Sequence, residues 1–100
     1  MLYNLIIKEE AHYDTIEAYL YYEERRDGLG EKFLNALNQR YEEIVQNPQF
    51  YSFISADKQR IFRDVKIKGF PYVVIYEFTE NEVTVYAVHN CSKYRKDYFE

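Results

Sequence analysis

The residues of this chain with the most chemistry to offer are cations in its second half. Arg60, Arg63 and Lys66 lie along one segment of alternating polarity. Lys93, Arg95 and Lys96 follow near the carboxyl end, with Tyr98 close behind. Gathered at one edge of a sheet, such cations would hold the phosphates of a nucleic acid. They would also stabilise the charge that develops when an RNA 2′-OH attacks its own phosphate, while a Tyr or Lys moves the proton. A plainer role suits them equally, because Lys and Arg protect sheet edges from unwanted pairing.

Other combinations carry less. His89 and Cys91 stand two apart, with His12 far away in sequence. Three soft ligands fall short of the four that a structural zinc usually takes. A Cys–His nucleophilic pair would need a third, orienting group, and none is evident. The glycines of Gly28-Leu29-Gly30 follow a helical pattern rather than a strand, so they do not read as a phosphate loop. Glu23-Glu24 and Glu42-Glu43 are adjacent on helices and therefore point apart. No metal and no small-molecule cofactor is implied.

The elements that must position the cations are readable from period and punctuation. Leu2 to Ile7 is a short apolar run bounded by charge, which predicts a strand. From Glu9 to Arg26 the period becomes helical, with Ile16, Tyr19, Leu20 and Tyr22 at spacings of three and four. Glu9 and Glu10 at its start and Arg25 and Arg26 at its end both suit the helix dipole. Asp14-Thr15-Ile16-Glu17 also fits a capping box, which would start the helix five residues later. Gly28 suits a left-handed C′ position, and the short link predicts two antiparallel helices. The second helix is expected from about Glu31 to Gln46, closed by Asn47-Pro48.

Gln49 to Asp57 reads as an aromatic loop, with Phe50, Tyr51 and Phe53 tucked beneath the domain. Arg60 to Ile67 alternates as a strand, with Arg63 on the parity of Ile61, Val65 and Ile67. Tyr72 to Phe78 is almost wholly apolar, so it should be a central strand covered on both faces. A tight turn at residues 79–82, with Asn81 tolerant of positive φ, leads to a last strand from Val83 to His89. The order is strand, helix, helix, strand, strand, strand. The predicted class is α+β, a helical hairpin packed on a small, mostly antiparallel sheet.

Composition agrees with this outline. The chain has 100 residues, is 47% hydrophobic and 30% charged, and so can bury the core of one domain spanning residues 1–100. One cysteine excludes an internal disulfide. No apolar run approaches the roughly 20 residues of a membrane span, and the amino end lacks the marks of a signal peptide, so the expected compartment is the cytoplasm. The net charge of −4 argues against a uniformly basic nucleic-acid binder. It hides an asymmetry, however. Lys8 to Asn47 carries five basic and ten acidic residues, whereas Asp57 to Lys68 carries five basic and two acidic.

Several of these blocks together resemble the RelE/ParE toxin superfamily. They are Gly28-Leu29-Gly30-Glu31-Lys32-Phe33 after a Tyr-Tyr-Glu-Glu-Arg-Arg helix, Arg63 seven residues before Phe70-Pro71-Tyr72, and the Val-Val-Ile-Tyr and Val-Thr-Val-Tyr-Ala-Val strands. The likeness runs from Ile6 to Tyr98 and leans toward the ParE, plasmid-stabilisation side. It implies the toxin half of a type II toxin–antitoxin module. It also implies an antitoxin whose disordered segment folds onto the toxin; an amphipathic segment is expected to dock against apolar and Tyr positions near the helical hairpin and sheet edge. ParE-like members act on DNA gyrase; RelE-like members cleave mRNA in the ribosome.

The resemblance matches Arg63 to the superfamily's second-strand arginine. After the last strand, where the superfamily commonly has His-x-x-Arg-x-Pro, this chain has Asn90, Lys93 and Arg95. Asn cannot shuttle a proton, and Lys lacks the guanidinium fork. The expectation is therefore a ParE-like, non-hydrolytic toxin. A target surface would be made by Arg60, Arg63, Lys66, Lys93, Arg95 and Lys96. The alternatives are an mRNA endoribonuclease using Arg63, Lys93 and Tyr98, and a non-toxic interaction domain of the same fold.

Overall fold

A computed structural model describes residues 3–91 of the chain. Strand β1 (Asn4–Ile7) leads into α1 (Glu9–Arg25) and α2 (Leu29–Gln46). A single 3-10 turn (Pro48–Phe50) and a loop follow, then β2 (Arg63–Lys66), β3 (Tyr72–Phe78) and β4 (Glu82–Asn90). The strands form one sheet in the order β1-β4-β3-β2. β1 runs parallel to β4, and the other two pairings are antiparallel. The expected element order and the mostly antiparallel sheet are both present.

α1 starts at Glu9, the earlier of the two predicted starts. Asp14 is not a cap. Its Oδ2 accepts the N–H of Val88, 3.0 Å away, just past the last β4 residue that β1 pairs with. The carboxylate thus substitutes for the strand partner that the chain forfeits by turning into α1. Burial raises the Asp14 pKa above the ordinary carboxylate value, and the Val88 N–H only partly offsets this.

The helical hairpin is closed by Glu23. Its Oε1 accepts the N–H groups of both Gly28 and Gly30, each at 2.9 Å. Gly28 is left-handed, with φ 86°, but it stands immediately before α2 rather than at C′ of α1. Gly30 lies inside α2, where an added Cβ would come within 2.7 Å of the Tyr19 ring. A larger residue at position 30 would have to displace the Tyr19 ring and the Glu23 side chain that closes the hairpin.

Two apolar clusters sandwich the sheet. On the helix side Tyr22, Phe33, Phe70 and Tyr72 meet mostly edge to face, with centroids 5.0–6.0 Å apart. Each such contact adds roughly 0.5–1.5 kcal/mol beyond burial. On the opposite face Val73, Ile75 and Ala87 are covered by Ile54, Ala56 and Phe62 of the loop before β2. β3 is thus covered on both faces, as its apolar run predicts. A bulge between β3 and β4 makes Tyr86 the extra residue. Val83, Val85 and Val88 consequently all reach the helix-side core, while Ala87 joins the other cluster.

Two local expectations are corrected. Phe50 is not tucked beneath the domain but is 77% exposed; Tyr51 and Phe53 are half-buried, and Ile54 takes the covering role. β2 begins at Arg63 rather than Arg60. Asn81 does not use its tolerance of positive φ; among the described residues the non-glycine with that conformation is Arg60, at φ 56°. The late start of β2 and the positive φ of Arg60 share one cause. Asp57 accepts N–H groups from Gln59 (3.1 Å), Ile61 (2.9 Å) and Phe62 (2.7 Å), wrapping residues 57–62 around its carboxylate. That wrap delays the strand and forces Arg60 into a region that costs an L-residue roughly 1–2 kcal/mol.

Candidate functional site

Arg63 and Arg60 come together at the loop that precedes β2. A cavity of about 430 Å³ opens there, lined by Gln49, Phe50, Ser52, Ser55 and the two arginines among others. The arginines are held in very different ways. Arg63 is built into the scaffold. Its Nη1 donates to the carbonyls of Tyr51 and Gln49, its guanidinium carbon sits 3.8 Å from the Phe53 ring centroid, and Phe78 lies 5.1 Å away. A β-bridge between Phe53 and Arg63 completes this clasp. Nearby, the Tyr76 hydroxyl donates to the Pro48 carbonyl at 2.6 Å, and burial pushes its pKa well above the ordinary tyrosine value. Loop and sheet are therefore stapled at two points.

Arg60 is exposed. Among the described residues no carboxylate pairs with it; the ion pair found among them joins Arg40 and Glu43. Burial alone would raise the pKa of Asp57, but the N–H groups of Phe62, Ile61, Gln59 and Arg60 outweigh that and hold it below the ordinary value. The carboxylate is thus committed to the turn, and no carboxylate among the described residues neutralises Arg60.

Lys66 lies apart. It is exposed at the other end of β2, about 10 Å along the strand from Arg63. Its carbonyl accepts Arg40 Nε at 2.8 Å. β4 ends at Asn90, opposite Tyr72, so the chain leaves the sheet at the Lys66 end rather than the Arg63 end. Lys93, Arg95, Lys96 and Tyr98 lie outside the described residues. His89 is half-buried and Cys91 is exposed. Among the described residues no three His, Cys, Asp or Glu side chains gather into a metal set.

A second surface is apolar. Tyr13 (60% exposed), Ile16 (42%) and Leu20 (55%) run along the outward face of α1, opposite buried Ala11, Ala18 and Tyr22. β1 adds Leu5, Ile6 and Ile7, all partly exposed at an open edge of the sheet. The helical period of α1 announces one apolar face, but Ile16 and Leu20 belong to the other. Asp57, Ser52 and Ser55 were likewise not singled out by sequence reasoning; an Asp opening a polar stretch is the signal for the turn.

Residues 5–93 of the chain match the family model described as the ParE toxin of the type II toxin–antitoxin system parDE. The chain belongs to the ParE toxin family. Its fold is also that of a solved chain described as a chromosomal ParDE toxin–antitoxin system from P. aeruginosa, with a TM-score of 0.75. That likeness covers 89% of this chain and 96% of the other at 11% identity. No curated protein matches the chain. Membership of the ParE family implies a cognate antitoxin. Among the described residues no helix is long and apolar enough to cross a membrane.

Proposed function

We propose that this ParE-family chain is a cytoplasmic, single-domain toxin that inhibits DNA gyrase and is neutralised by its antitoxin. The observation that carries the reading is the family match over residues 5–93. The state of Arg63 supports the non-hydrolytic side. A ribonuclease would need that guanidinium to follow a phosphate as charge develops, whereas here its Nη1 is held by two backbone carbonyls. The apolar stripe of α1 and the β1 edge are the surfaces offered to the antitoxin. Arg60 and Lys66, with Lys93, Arg95 and Lys96, are the cations offered to the target.

The test is a supercoiling assay. The purified chain should inhibit gyrase, and an equimolar amount of the protein encoded by the adjacent small gene should restore it. Normal supercoiling in the presence of excess toxin would refute the gyrase reading. Specific mRNA cleavage after induction would replace it with the ribonuclease.

A further inference from the structure

Arg60 occupies a backbone conformation that would be relaxed with glycine in its place. Its φ of 56° is imposed by the Asp57 carboxylate, which holds the N–H groups on both sides of it. A turn that served only to start β2 would be more stable with glycine or asparagine at this position, since either adopts this region at lower cost. The chain instead carries a long cation there, aimed by a fixed turn into the cavity of about 430 Å³. Ser52 and Ser55 bring hydroxyl donors to the same cavity. At its rim Phe50 exposes 77% of its surface, and Tyr51 stacks edge-on behind it at 5.1 Å. The Tyr51 carbonyl is in turn fixed by Arg63.

An unneutralised cation with hydroxyl donors recognises a phosphate. An exposed aromatic ring braced from behind recognises the flat face of a base. We infer that this cavity binds single-stranded nucleic acid, with one phosphodiester at Arg60 and the adjoining base on Phe50. Arg63 is a positioning residue that holds the platform and does not itself touch the strand. The charged residues lining the cavity are Arg60, Arg63 and Asp57, so its lining is net positive within a chain of net charge −4 and the attraction is local to this site. An acidic peptide would use the cation but has no use for the ring. The inference goes beyond the gyrase reading and is tested without gyrase.

The experiment is fluorescence anisotropy of a labelled oligothymidylate titrated with the full chain across a salt series. Arg60→Gly is the decisive variant because it removes the cation and relieves the backbone together. It should melt higher than the parent yet bind about tenfold more weakly, with the slope of log K against log salt reduced by about 0.7, one phosphate contact. Phe50→Ala should lose about tenfold in affinity with the slope unchanged. Arg60→Lys should keep most of the slope. The proposal fails if the parent chain does not bind the oligonucleotide, or if Arg60→Gly binds as tightly as the parent. It also fails if an Asp- and Glu-rich peptide displaces the oligonucleotide while Phe50→Ala binds both normally.

Discussion

Two charged side chains carry the loop that shapes the cavity, and both do so through backbone groups. Asp57→Ala would strand the N–H groups of Gln59, Ile61 and Phe62, which should cost about 2 kcal/mol in urea-induced unfolding. The Asp57 pKa is lower in the folded chain than its ordinary 3.8. Its stabilising contribution is therefore complete above that value and disappears as pH falls through the folded pKa. The gap between parent and Asp57→Ala should accordingly be flat at neutral pH and close in strong acid; a gap independent of pH would mean that the carboxylate charge plays no part. Arg63→Ala would unlock the Gln49 and Tyr51 carbonyls and expose Phe53. It should cost about 1–3 kcal/mol. Arg63→Lys should recover only part of that, because an ammonium cannot lie flat on Phe53 while reaching the Tyr51 carbonyl. Limited proteolysis within residues 49–60 should accelerate in both Arg63 variants. Unchanged cleavage would show that the clasp does not restrain the loop.

Among the elements, α1 and β4 pack through the apolar core and are also joined by a side-chain hydrogen bond from the Val88 N–H to Asp14, which gives that contact a pH dependence of opposite sign. Burial raises its folded pKa above 3.8, so the ionised form is disfavoured in the folded chain and the parent loses stability as pH rises through that pKa. Asp14→Asn keeps an acceptor for the Val88 N–H and has no charge to desolvate. It should be as stable as the parent or more so at pH 7, whereas Asp14→Ala should lose about 1–2 kcal/mol by stranding that N–H. Denaturation of the three chains at neutral pH checks this; equal losses in Asn and Ala would mean that the charge, not the acceptor, matters. Asp14 also illustrates what a single sequence can and cannot convey. Helices and strands were legible because a period of 3.6 gives way to a period of 2, with Gly28 and Pro48 as punctuation. The local motif Asp14-Thr15-Ile16-Glu17 nevertheless fits a capping box, and nothing near it signals a partner 74 residues away in sequence. The bulge at Tyr86 is equally silent, since an extra residue in an apolar strand leaves no mark on composition. In the segment from Arg60 the alternation is real, but the turn around Asp57 overrides it for three residues. Arg63 was legible as the important arginine of β2; its engagement by carbonyls of a distant loop was not. The exposure of Phe50 was missed because an aromatic residue reads as core until the packing is known.

For the molecule as a whole, the distribution of charge sets what its partner must look like. The hairpin face that exposes Tyr13, Ile16 and Leu20 is flanked by Glu9, Glu17 and Glu24. Lys8 to Asn47 carries twice as many acidic as basic residues. A second copy laid against this face would bring like charges together, so self-association there is opposed. The complement is an amphipathic segment with apolar side chains along one face and Lys or Arg at its margins. If the antitoxin docks there, its affinity should fall as salt rises, because attraction between flanking charges is screened over about 8–10 Å. Leu20→Glu would place a charge within the stripe, at its carboxyl end, without disturbing the core, since the side chain already faces outward. Its melting temperature should match that of the parent within a few degrees. Its binding to the antitoxin should weaken at least tenfold, the scale of losing one buried apolar anchor. The variant should therefore stay toxic when antitoxin is co-expressed, and an inducible growth assay with and without the antitoxin reads this directly. Full rescue of Leu20→Glu by the antitoxin would move the docking surface elsewhere, and the apolar edge at Leu5, Ile6 and Ile7 would be the next place to introduce a charge.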